Sequence, residues 1–225
     1  MASQKHAILV AGGSGKRMEF STPKQFIELK GKPILMHSIL AFFRFDSSIK
    51  ITVVLPENQI LVWDTLCKKH NFNNAHEVVK GGLERFHSVK NGLNSIGEDG
   101  GVVAIHDGVR PLVSVETLAR CYDGAENKGN AIPVIDVHET IRKINGNISQ
   151  SVSRESYKLV QTPQCFDVRV IKTAFEQAYH PNFTDDASVA EANGATINLV
   201  EGNRENIKIT TPSDLRIAEA VFVNK

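Results

Sequence analysis

Cysteine is scarce in this 225-residue chain: only Cys67, Cys121 and Cys165 are present, and none sits in a C-x-x-C pair. The odd number and the spacing exclude a C-x-x-C redox or zinc motif, and buried free thiols of a reducing compartment are expected. Long hydrophobic runs are also missing. Nothing approaches the roughly 18 apolar residues of a membrane helix, and the apolar stretch of the opening MASQKHAILVAGG is too short for a secretion signal. There is no excess of one charge. Lys and Arg number 26 against 25 Asp and Glu, for a net +1, so no general nucleic-acid or membrane-surface role is implied. Any anion must be bound by a local cluster. Repeats, linkers and low-complexity segments are absent. What remains is an ordinary globular composition, 41 % hydrophobic and 23 % charged. It predicts a soluble, cytoplasmic protein of one domain over residues 1–225.

Apolar strand-like runs alternate with helix-like ones. HAILVA, IKITVVLP, AHEVVKGG, GVVAIHD and GNAIPVID read as strands. Between them, KPILMHSILAFFRF, ENQILVWDTLCKKH, ERFHSVKNGLNSI and SVETLARCYDGAEN read as helices, the second with Ile60, Leu61, Trp63 and Leu66 on one side. The alternation predicts parallel strands joined by crossover helices, hence a three-layer α/β/α sandwich with ligands at the edge where the strands end. The pattern breaks over residues 137–160. There TIRKI and NISQSVS flank NGN, the signature of a hairpin, and few residues could fill a core. A projecting β-arm is expected, its edges covered by a second subunit. Farther on, VRVIKTAFEQAYH predicts a helix. TDDASVAEANG predicts another, with Thr184 as N-cap. ATINLVEG and NIKIT read as short strands. TPSDLRIAEAVFV reads as a last helix with Thr211 as N-cap and Pro212 at its first position.

Chemistry concentrates at the strand ends. In AGGSGKRM, Gly12, Gly13 and Gly15 allow a tight turn whose N–H groups can meet phosphate oxygens. Met18 stands where a dinucleotide fingerprint needs glycine, and Val10 and Arg17 break a Walker A pattern. What is left is a glycine turn followed by cations, Lys16, Arg17 and, in TPKQF, Lys24. A plain turn with solvated basic residues is the alternative. HDGVRP ends a strand with Asp107, which can hold a divalent cation beside substrate phosphates or cap the turn and pair with Arg110. His106 reads as structural. GGLERFHSV offers glycines, Arg85 and Ser88 to a base or ribose, or else a plain turn with a surface arginine. Lys208, inside the apolar NIKIT, predicts a buried lysine facing an anion. Arg154 on the arm reads as a solvated charge. No nucleophile set and no zinc spacing is present, so the chemistry implied is phosphate handling.

AGGSGKRM with PKQF, HDGVRP, QTPQCF and NIKIT, in this order, resembles the 2-C-methyl-D-erythritol 4-phosphate cytidylyltransferases over about residues 7–222. The ribitol-5-phosphate cytidylyltransferases are similar. The resemblance implies a Rossmann-like nucleotidyltransferase that joins CTP to a sugar-alcohol phosphate with Mg²⁺ and releases pyrophosphate. It implies that Ala11, Gly12, Gly13, Gly15, Arg17, Lys24, Gly82, Arg85, Ser88 and Asp107 bind CTP. Of these, Arg17 and Lys24 steady the transition state and Asp107 takes the metal. It implies that Thr140, Arg154, Thr162, Thr184 and Lys208 receive the acceptor phosphate, with Arg154 and Lys208 positioning it for attack. It further implies a homodimer in which the arm carries Thr140 and Arg154 to the neighbour's site. The chain departs from the family's usual pattern at Leu83, Val109 and Glu139, none of which is a charged catalytic position. A non-catalytic nucleotide-binding protein on the same fold is the alternative of a different class. A nicotinamide-dependent dehydrogenase is disfavoured by the failed glycine fingerprint.

Overall fold

The structure is a computed structural model that describes residues 3–12, 22–97 and 100–222. The chain opens with strand β1 (Lys5–Val10), then a small β2–β3 hairpin (Glu28–Leu29 and Lys32–Pro33) and helix α1 (Ile34–Phe45). Strand and helix then alternate: β4 (Lys50–Leu55), α2 (Glu57–Lys69), β5 (Glu77–Lys80), α3 (Arg85–Ser95), β6 (Val102–Asp107), α4 (Val115–Lys128) and β7 (Asn130–Asp136). A hairpin, β8 (Ile141–Asn145) and β9 (Ile148–Val152), precedes β10 (Lys158–Val160) and β11 (Gln164–Asp167). Helices α5 (Val168–Ala174) and α6 (Asp186–Ala192), strand β12 (Leu199–Glu201) and helix α7 (Pro212–Phe222) close the chain.

Strands β6, β1, β4 and β5 run parallel, as short crossover helices require. Beyond β6 the sheet continues through antiparallel β11 to β7, and β12 pairs parallel with β7. β10 pairs with the far end of β7. Between β10 and β11 the chain leaves the ladder opposite Pro133, whose nitrogen has no hydrogen to donate. The resulting sheet is mostly parallel. Alternate residues of β1 serve opposite layers: Ala7 and Leu9 pack with α1 and α4, and Ile8 packs with α3, α5 and α6. A third cluster joins Leu29, Ile34, Val109, Leu112 and Ile209 under Ala218 of α7.

Several expectations need correction. NIKIT forms no strand; its isoleucines alternate because Ile209 and Ile207 pack into the third cluster, and the Ile209 N–H meets Val109 O instead of a ladder. The helix expected from Val168 stops at Ala174, where Gln177 Nε2 takes the carbonyls of Ala174 and Val189. The N-cap of α6 is Asp185, closing a capping box with Ser188, and Thr184 lies exposed one residue before it. On α2 only Trp63 is buried; Leu61 points to solvent. Strands β10 and β11 and the β2–β3 hairpin were not expected. Thr211 caps α7 as expected, its Oγ1 accepting from Asp214 N–H.

The hairpin expected around NGN forms from Ile141–Asn145 and Ile148–Val152, while Lys158–Val160, counted with the expected arm, joins the main sheet against β7. Asn145 pairs with Ile148 across a Gly146-Asn147 turn, with Gly146 at φ +57°. Among the described residues β8 and β9 pair only with each other, and Ile144 and Ile148 are largely exposed.

Gly101 leads into β6 at φ +104°, and a Cβ there would stand 2.1 Å from the Gln4 carbonyl oxygen. Gly101→Ala is therefore expected to destabilise the fold by at least ~2 kcal/mol, through strain and a clash together. Urea unfolding midpoints measure it, and an unchanged midpoint would count against the close approach of the two segments.

Candidate functional site

The ends of β1, β5 and β6 come together at one sheet edge. The ladder continues past each end: Ala11 N–H donates to Val54 O, Gly81 N–H to Leu55 O and Gly108 N–H to Val10 O. A pocket of about 370 Å³ opens there, within the size range of ligand sites. Its walls include Ala11 and Gly12 after β1, Lys24, Gly82, Arg85 and Ser88 at the start of α3, Asp107 at the end of β6, and Lys208. Eight expected site residues thus share one cavity, drawn from segments far apart in the chain.

The turn before α3 is fixed from within. Gly82 N–H donates to Ser88 Oγ, and Ser88 Oγ donates to Glu84 O. A Cβ on Gly82 would fall 2.3 Å from His87 Cβ, so only glycine fits. Leu83 beside it is almost wholly exposed at the pocket. Arg85 is neither a plain surface arginine nor free to swing. Its two terminal nitrogens meet both oxygens of the fully buried Asp186, at 2.7 and 2.6 Å. Burial works against the guanidinium charge, but Asp186 holds it firmly charged. Gln164 fixes the other side of this pair, donating to Asp185 and accepting from Ala187 N–H at the start of α6.

Asp107 is the hub of the opposite wall. Arg110 Nε and Lys208 Nζ both reach its Oδ2 at 3.1 Å. Burial disfavours the carboxylate, yet Lys208, Arg85 and Arg110 outweigh it and keep Asp107 ionised far below the usual range. Lys208 is not the buried lysine expected: its side chain is 41 % exposed, and the anion it faces is Asp107 itself. Behind Asp107, hydrogen bonds settle every proton. The Arg110 carbonyl can only accept, so His106 Nε2 donates to it, and Nδ1 must accept from Thr162 Oγ1. That hydroxyl in turn accepts Asp107 N–H at 3.1 Å. Thr162 therefore supports Asp107 from behind and does not line the pocket. Asn206 ties the two sides, donating to Thr162 O and accepting Arg110 Nη1 at its own carbonyl.

The remaining expected residues lie elsewhere. Thr140 and Arg154 are exposed on the arm, outside this pocket, where Arg154 donates to His138 O. Thr184 is exposed before α6. Gly13, Gly15 and Arg17 lie outside the described residues. Sequence reading missed Asp186, Gln164, Asn206 and Gln25, whose local patterns carry no signal until the chain folds.

The family model described as 2-C-methyl-D-erythritol 4-phosphate cytidylyltransferase matches residues 5–224. The chain belongs to this family. A relative of that name from Bacteroides fragilis is 54 % identical over 216 residues, covering 96 % of this chain and 98 % of the relative. One from Phocaeicola vulgatus is 53 % identical over 218 residues, covering 97 % and 99 %. The solved 4-diphosphocytidyl-2C-methyl-D-erythritol synthase of Anaerococcus prevotii superposes with a TM-score of 0.83 at 25 % identity, over 99 % of this chain and 97 % of that one. The family's α/β nucleotidyltransferase fold is the one observed here. No helix among the described residues is long and apolar enough to cross a membrane.

His106 is wholly buried, and burial lowers its pKa from 6.5 to about 4. The unfolded chain therefore binds the proton more readily, so this contribution to stability is full above about pH 6.5 and is lost as pH falls toward 4. The loss is expected to reach about 3 kcal/mol. Urea midpoints of the wild type and of His106→Gln between pH 7 and 4 measure it. Identical slopes for the two would show that His106 is not the titrating group.

Proposed function

We propose that the chain transfers the cytidylyl group of CTP to 2-C-methyl-D-erythritol 4-phosphate, giving 4-diphosphocytidyl-2-C-methyl-D-erythritol and pyrophosphate for isoprenoid synthesis. The observation that carries the reading is the pocket that Lys24 lines together with the ionised Asp107, which Lys208, Arg85 and Arg110 hold charged, beside Gly12 and Gly82. The backbone at Ala11, Gly12 and Gly82, with Ser88 behind it, would take the cytidine half. Lys24, together with Arg17, would lie against the triphosphate and neutralise charge as pyrophosphate departs. Lys208 would steer the acceptor phosphate toward the α-phosphorus. A phosphate monoester is already mostly deprotonated at neutral pH, its second pKa being about 6. No general base is required, in keeping with a pocket that presents no His–carboxylate pair among the described residues.

Mg²⁺ fits this donor set. Asp107 offers an ionised carboxylate whose two ion pairs both fall on Oδ2. Among the described residues no group of three acidic, His or Cys side chains stands together, so the substrate phosphates would complete the coordination, as is usual for Mg²⁺. When bound, the ion would supply charge neutralisation on the triphosphate.

The arm is proposed to complete the site of a second copy, bringing Thr140 and Arg154 to the acceptor phosphate. Its exposed Ile144 and Ile148 and its lack of any other described strand partner support this reading.

Three measurements test these proposals. With CTP and Mg²⁺, pyrophosphate is expected on adding 2-C-methyl-D-erythritol 4-phosphate and not on adding ribitol 5-phosphate; release with neither overturns the reading. Arg17→Ala is expected to lower kcat by at least ~10²-fold, whereas a rise in KM alone would contradict its transition-state role. Arg154→Ala and Arg17→Ala chains are each expected to be impaired and to regain part of the activity when mixed. Absence of recovery in verified mixed dimers would rule out a shared site.

A further inference from the structure

Lys24 owes its place in the pocket to a single turn of 3-10 helix, Lys24–Phe26, that has no side-chain cap. Lys24 and Gln25 line the pocket, Gln25 and Phe26 are buried, and both buried residues reach back to fixed elements. Gln25 Nε2 spends its two hydrogens on Ala11 O, at 2.7 Å, and on Gln59 Oε1 of α2, at 2.5 Å. The first bond holds Ala11, the residue just past the end of β1. The second ties the 3-10 turn to α2. One turn farther along α2, Trp63 stacks on Phe26 at 6.0 Å with the rings 13° apart. Trp63 is itself held, its indole N–H donating to His76 Nε2 at 2.9 Å, while His76 Nδ1 meets Asn74 O.

Gln25 is an expensive residue if packing were its only task. Its side chain is wholly buried, and Oε1 has no hydrogen-bond partner among the described residues. An orphaned buried carbonyl lowers stability. A leucine would fill the same space without it. What only the amide supplies is the pair of N–H groups that join the lysine turn to Ala11 and to α2.

We propose that Gln25 is a positioning residue for the transfer reaction: by bridging Ala11 and Gln59 it fixes Lys24 relative to the end of β1 and to α2. The proposal rests on the reading of Lys24 as a transition-state cation. A cation displaced by about 1 Å from a developing charge can cost on the order of 10²-fold in rate.

The test is a double-mutant cycle on the full-length protein. Gln25→Leu removes both bonds at similar volume. Gln59→Leu removes one bond from a half-buried surface position and serves if Gln25→Leu does not fold. Gln59→Glu keeps an acceptor for Gln25 Nε2 and is expected to retain activity. In the otherwise wild-type chain, Gln25→Leu is expected to lower kcat ~10- to 10²-fold, with little change in KM for CTP. In a Lys24→Ala background the same substitution is expected to add almost nothing. Equal losses in both backgrounds would mean that Gln25 acts on the fold at large and would overturn the proposal, as would full activity of Gln25→Leu. If Lys24→Ala itself loses no activity, the catalytic reading of Lys24 fails instead. The lone tryptophan, Trp63, reports in each variant whether the stack on Phe26 survives.

Discussion

A carboxylate sealed into a sheet edge needs cations around it, and Asp107 has them in Lys208, Arg110 and Arg85. The rest of the pocket depends on this constraint. Arg110 and Lys208 converge on one oxygen, which draws residues 206–210 against the turn that follows β6. Arg85 is held in a second pair by the buried Asp186, which draws α6 against the start of α3. Two carboxylates therefore keep three cations close together without their mutual repulsion splitting the site. Removing either partner of such a buried pair leaves an uncompensated charge, which costs far more than the pair contributes. On the proposed reading, an incoming polyanion would meet cations that are already in place.

The network behind Asp107 explains why that arrangement is rigid. His106, Thr162 and the Arg110 carbonyl form a hydrogen-bond chain in which each proton has one possible position. The chain works only with a neutral imidazole, and full burial keeps it neutral. His106 therefore does its work through shape, as the sequence suggested when no nucleophile stood near it.

Much of this was legible before folding. Strand–helix alternation gave the three layers, and glycines or acids at strand ends gave the pocket edge, because parallel strands must present those ends together. The hairpin was legible from NGN between alternating runs. What was not legible depended on distant partners. NIKIT alternates like a strand, but its isoleucines answer to α7 and not to a ladder. Lys208 looked buried because its neighbours are. Asp186 and Gln164 sit in polar runs whose meaning appears only when α6 meets α3. Thr184 reads as the cap in sequence, and only the box with Ser188 shows that Asp185 takes that place.

The two halves of the proposed reaction are supported unequally by one chain. The nucleotide side rests on the core: Ala11, Gly81 and Gly108 extend sheet ladders, Gly82 is pinned by Ser88, and Arg85 is locked to a buried acid. The acceptor side draws on Thr140 and Arg154, which sit on a hairpin with exposed faces and no described strand partner beyond itself. A two-stranded hairpin is marginal alone, and a cation on it cannot hold a phosphate to a fraction of an ångström. On the proposed reading, precision at the acceptor must come from whatever the arm packs against. The exposed isoleucines of the arm and the exposed Leu159, Val160 and Leu199 on the nearby sheet edge are surfaces that a second copy would cover. Catalysis would then depend on assembly, with the reacting phosphate fixed only where two chains meet.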